Sequence, residues 1–164
     1  MILFISETDL LENSFIEENI DVKILGTAVK LVQNIQVKEI LGKSLYNDFY
    51  QEYSNTFTGS TLSQQYQDLH SHIKEFMIHA TIVEFMVFNQ YKITKKGTLT
   101  MRDSLSSALG IPDFENAKNN FESYRSYYKD QLMRFVKDNK LNDRIEDVNI
   151  DLGGADSFGW FLDY

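Results

Sequence analysis

Apolar residues recur at three- and four-residue steps through most of this chain, and that spacing predicts helices. "SETDLLENS" carries a start signal: Ser6 can cap, and Glu7 and Asp9 place negative charge in the first turn. The pattern predicts a short helix over 6–13, with Ile2 to Ile5 as an extended lead-in. "DVKILGTAVKLVQNIQVKEILG" follows, with Asp21 as cap, Gly42 as stop, and Ile24, Leu25, Ala28, Leu31, Val32, Ile35 and Leu41 on one stripe. Gly26 inside that helix suggests close packing at that point. Leu45, Phe49 and Tyr53, four apart, predict a shorter amphipathic helix, closed by the loop "TFTGST". From Ser63 to Tyr91 the helical signal is strongest. Tyr66, Leu69, Ile73, Phe76 and Met77 form its inner side at first, but from Phe76 to Phe88 it is apolar nearly all round. Such a helix lies at the centre of a bundle or under another subunit.

The period then breaks. "YKITKKGTLTMRDS" has β-branched residues on both sides of "KKG", which predicts a small β-hairpin, about 91–94 against 98–101. Lys95 and Lys96 stand at its tip, with Lys92 and Arg102 nearby, a basic cluster in an acidic chain. "SALGIPDF" is a connector with the sole proline, Pro112, just before a last helix from Asp113 to about Asn139. There Ala117, Phe121, Tyr124, Tyr128, Leu132 and Phe135 make the stripe. After Lys140 the periodicity ends, and Lys140 and Arg144 face Asp143, Glu146, Asp147, Asp151, Asp156 and Asp163. The expected architecture is mainly α: a bundle of four to five helices with a hairpin at about 91–101 and an extended C-terminal tail. Residues 1–139 form the helical domain and 140–164 the acidic, aromatic tail.

Composition narrows the function classes. The 164 residues suit one domain with a sizeable core, and 43% hydrophobic with 24% charged residues is ordinary for a soluble globular protein. With no cysteine there are no disulfides, zinc–thiolate sites or thiol catalysis. The start "MILFISETDL" lacks the basic region of a signal peptide. The longest apolar stretch, Phe76–Phe88, falls short of the roughly twenty residues of a membrane span. A net charge of −8 argues against general nucleic-acid binding, though not against a surface along which DNA slides without being gripped.

Candidate chemistry is sparse. His72, Glu75 and His79 share one helical face, yet the Glu-x-x-His order of bundle di-metal proteins is absent and no second helix supplies a matching pair. The plainer reading is a polar patch, with His79 hydrogen-bonded near the core. Glu84 among apolar neighbours could be a general acid with a raised pKa; pairing with a Lys or Arg from another helix or subunit is the simpler account. No nucleophile elbow, phosphate loop, dinucleotide fingerprint or triad spacing occurs. We therefore expect no enzyme, no catalytic or metal residues and no cofactor. The lysine hairpin is either a solvated turn or an arm reaching an acidic partner or DNA phosphate. The tail "GGADSFGWFLDY" is disordered, folded back on its own domain or docked on another chain; Phe158, Trp160, Phe161 and Tyr164 left in water would form an adhesive patch, which favours another chain.

"ISETDLLENSFIEENIDVKIL", "IQVKEILGKSLYNDFY" and "YKITKKG" after the apolar helix resemble the small helical head–tail connector proteins of tailed phages. They are similar in particular to the ring (adaptor) proteins of crAss-like phages that infect Bacteroidales. The pattern covers most of residues 5–139 and leaves the tail outside. The resemblance implies a virion structural protein, assembled in the bacterial cytoplasm as a homo-oligomeric ring below the portal, typically a dodecamer. It implies copies of itself, the portal protein and other neck or tail proteins as partners, no membrane, and DNA only as cargo through the channel. A closed ring needs two different patches per subunit. The hairpin, with Lys92, Lys95, Lys96 and Arg102, and the tail, with Phe158, Trp160, Phe161 and Tyr164, are the candidates for one patch each. The rival expectations are a small-molecule or di-metal enzyme on a helical bundle and a monomeric host-directed binding protein.

Overall fold

The computed structural model describes residues 1–14, 21–94, 97–100 and 111–141, with side chains at 1–14, 21–88 and 115–141. The fold is mainly helical. α1 spans Glu7–Asn13, α2 Val22–Leu31, α3 Lys38–Thr56, α4 Gln64–Gln90 and α5 Ile111–Asp138. β1 (Tyr91–Thr94) pairs antiparallel with β2 (Gly97–Thr100), Tyr91 opposite Thr100. The expected tip at Lys95 and Lys96, Arg102 and the tail from residue 142 onward lie outside the described residues.

Two helix starts follow the capping chemistry. The Ser6 hydroxyl accepts from Asp9 N–H, and the Asp9 carboxylate accepts from Ser6 N–H at 2.8 Å, a reciprocal box that saturates two orphan donors. Asp21 Oδ1 accepts from Lys23 and Ile24 N–H. α5 differs from expectation at its start. It takes in Ile111 and Pro112, because a proline in the first turn gives up an N–H that has no helical partner there. Its end is a Schellman turn: Lys140 takes φ 50°, its N–H reaches Lys137 C=O, and Leu141 N–H reaches Val136 C=O. That turn folds Leu141 back onto the core.

The second helix departs from the simple stripe. Between α2 and α3 the chain makes a π turn over Val32–Val37. The extra residue rotates the following segment by about a third of a turn, so Val37 and Leu41 face inward while Ile35, predicted inside, is 58% exposed. Gly42, expected to stop the helix, sits at φ 73°, ψ 163° and breaks the regular backbone inside α3, after which Leu45, Tyr46 and Phe49 are buried. Gly26 is not a close-approach point: a Cβ there would meet nothing within 4 Å.

α4 is the hub. Leu69, Ile73, Phe76, Met77, Ile78, Ala80, Ile82 and Val83 are all buried, as its apolar circumference requires. α5 runs antiparallel beside it, with Phe135 against His72, Tyr128 against His79 and Arg125 near Glu84. α2 and the π turn pack on α4 as well, and Gln36 Nε2 donates to Glu84 Oε1 at 2.8 Å. The lead-in Met1–Ile5 is held by side chains instead of a ladder. Ile2 N–H donates to Tyr50 Oη, and Gln33 gives Nε2–H to Ile2 C=O and takes Phe4 N–H. His70 Nε2 lies 2.7 Å from Phe4 C=O. The Phe4 ring is enclosed by Tyr46, Phe49, Tyr50 and Tyr53.

Candidate functional site

Where α1 ends, it leaves an open cleft of about 440 Å³ against α4 and α5, lined by Glu12, Asn13, Ser14, His79, Ile82, Phe121 and Tyr124. That volume falls within the range of about 300–1,000 Å³ usual for ligand clefts. Its position follows from helix lengths. α1 has seven residues and meets α4 near Lys74, whose ammonium pairs with the Asp9 carboxylate, and among the described residues the cleft opens beyond its end. Burial pushes the Asp9 carboxyl up, but the Lys74 ammonium with the Ser6 N–H and hydroxyl outweighs it and holds the group down at about 2.

The walls are aromatic. The His79 imidazole stacks on the Tyr128 ring, 4.3 Å between centroids and nearly parallel, with Tyr124 at 6.0 Å. Among the described residues the Nδ1 atom of His79 is buried without a hydrogen-bond partner, where a hydrogen-bonded core histidine was expected. Burial lowers its pKa from 6.5, and the Glu75 charge offsets this in part, so the ring stays neutral near pH 7. Tyr124, at the cleft, and Tyr127, three residues further along α5, are both more than half exposed. The open cleft thus sets the aromatic side chains Phe121 and Tyr124 beside the polar Glu12, Asn13, Ser14 and His79.

The other candidates fare differently. His72 bonds Asp68 C=O and lies against Phe135, so it does not join His79, and the described residues hold no group of three metal-ligating side chains. Glu84 has the partner expected from another helix: Arg125 of α5 lies 3.7 Å away, bridged also to Glu122. Lys92 falls in β1 opposite Leu99, its side chain outside the described set. Lys95, Lys96, Arg102, Phe158, Trp160, Phe161 and Tyr164 lie outside the described residues altogether. Sequence reasoning missed Tyr127 and the cleft. A signal for Tyr127 did exist: in "YRSYYK" it stands one position off the buried stripe, where an aromatic has no core reason to be.

Residues 37–143, well over half of the chain, match a family of unknown function (DUF6712). No curated protein and no solved structure matches the chain. No helix among the described residues is long and apolar enough to cross a membrane.

Proposed function

The chain belongs to that DUF6712 family, and we propose that it is a structural subunit of a phage head–tail connector ring, assembling below the portal. Its role there is to extend the DNA channel and give tail components a docking surface. The observation that supports the reading is exposed apolar surface on two different elements packed against α4. One is α5, with Tyr124 and Tyr127; the other is α2 with the π turn, where Val22 and Ile35 are exposed. A heterologous ring contact needs two such different patches on each subunit, whereas a two-fold dimer needs one. The resemblance of "ISETDLLENSFIEENIDVKIL", "IQVKEILGKSLYNDFY" and "YKITKKG" to neck ring proteins supplies the setting. The hairpin lysines and the aromatic tail extend the two patches, with lysine meeting acidic tail to set register. A net charge of −8 lets DNA slide through such a channel without holding it.

A cryo-EM reconstruction of the virion neck tests this directly. The expected result is a ring of this subunit below the portal, typically twelve copies. A virion proteome lacking a 19.1 kDa chain of this sequence would sink the reading, and stoichiometric iron, manganese or zinc in the purified protein would favour an enzyme instead.

A further inference from the structure

We infer that in the free protomer the segment Phe158–Tyr164 docks into the cleft between α1, α4 and α5 of its own chain. Reach comes first. α5 ends at the Schellman turn that pins Leu141 to the core. From there Tyr124 lies 17 residues back along α5, about 25 Å at the helical rise of roughly 1.5 Å per residue. Phe158 lies 17 residues onward, and an extended chain of that length spans up to about 56 Å. The segment can therefore return to the cleft with slack to spare.

The path is matched in charge. Between Lys118 and Lys140, α5 and its cap carry six basic residues against three acidic ones, and Lys129, Arg134, Lys137 and Lys140 are exposed. Residues 142–164 carry six acidic residues against one basic. A tail running back along α5 lays Glu146, Asp147, Asp151 and Asp156 beside that basic surface. At the end of the path the cleft offers what Phe158, Trp160 and Phe161 require: the Tyr124 rim, the His79–Tyr128 stack and an apolar floor at Ile82. Tethering makes the local concentration about millimolar, so weak contacts suffice. The inference does not depend on the ring reading. If both hold, assembly exchanges the tail between equivalent clefts, a swap that needs no new surface.

Trp160 is the only tryptophan, so the emission of the full-length protein reports this segment alone. We expect a blue-shifted, quencher-protected spectrum that does not change with protein concentration. Tyr124→Ser should move it to that of an indole in water, and Arg134→Glu with Lys137→Glu should shift it partway. Ile35→Ser, on the π turn, should leave it alone. Tyr124 is 53% exposed, and an unchanged far-UV circular dichroism spectrum would show that its loss leaves the helices folded. A water-like spectrum in the unaltered protein overturns the inference. So does a blue shift insensitive to Tyr124→Ser, or one that appears only as concentration rises, which would place the tail on another copy.

Discussion

Two glycines in neighbouring helices make opposite demands. Gly42 occupies a backbone region that side chains all but forbid, and Gly26 occupies ordinary helix with open space where a Cβ would stand. Gly42→Ala should therefore cost about 1–3 kcal/mol. Gly26→Ala should stabilise by about 0.5–1 kcal/mol, by restricting the unfolded chain and improving helix propensity. Urea unfolding of both variants checks the pair. His79 makes a third prediction. Its pKa is lowered by burial, so below 6.5 the unfolded chain takes up a proton that the native ring refuses. Stability should fall as pH drops below 6.5, and His79→Phe, which keeps the stack on Tyr128, should flatten that slope. The Asp9 carboxylate acts in a separate window, losing its contribution only as pH falls from 3.8 to about 2.

At the scale of elements, the least ordinary device is Gln33, wholly buried, standing in for a neighbouring strand along Ile2–Phe4. Gln33→Leu fills the space but leaves Phe4 N–H and Ile2 C=O without partners. The expected loss is about 2–4 kcal/mol, with hydrogen exchange at Phe4 N–H rising faster than in α4. Helix existence was legible because Leu69, Ile73, Phe76 and Met77, or Phe121, Tyr128 and Leu132, keep a period that only a helix satisfies. The Ser6 and Asp21 caps were legible for the same local reason. The π turn was not: no residue type announces one extra residue, so extrapolating at 3.6 residues per turn placed Ile35 inside. Gln33 was illegible because its partners lie about thirty residues away, and polar residues carry no periodic signal. The cleft was hidden as well, since it arises from how far α1 extends along α4, a matter of packing and not of any local pattern.

For the whole molecule, the buried core among the described residues runs from Phe4 to Val136, with Leu141 packed against it. On the proposed ring reading, deleting 153–164 should leave a folded, helical protein that no longer joins particles. Helical signal by circular dichroism and copy number in purified virions measure the two halves of that prediction. Normal incorporation would show the segment dispensable, and loss of helix would place it in the protomer's own core. The elongated contact of α4 with α5 bears on assembly too. In the proposed ring, a subunit built round α4 would adjust the exposed residues of α2 or α5 without disturbing the hub.

The wide turn at Val32–Val37 has a consequence for sequence length. It absorbs one residue that a regular helix would not need, and the helices on either side keep their inward faces because of it. Asn34 and Ile35 are both exposed there. Removing either one should close the turn to ordinary α-helix and return Val37 and Leu41 to the same inner face, whereas a deletion elsewhere in α2 or α4 would swing the rest of the helix by about 100°. The chain thus holds, mid-helix, a place where a one-residue deletion should be tolerated as it usually is only in loops. Any alignment of this chain to a shorter homologue should put its gap there.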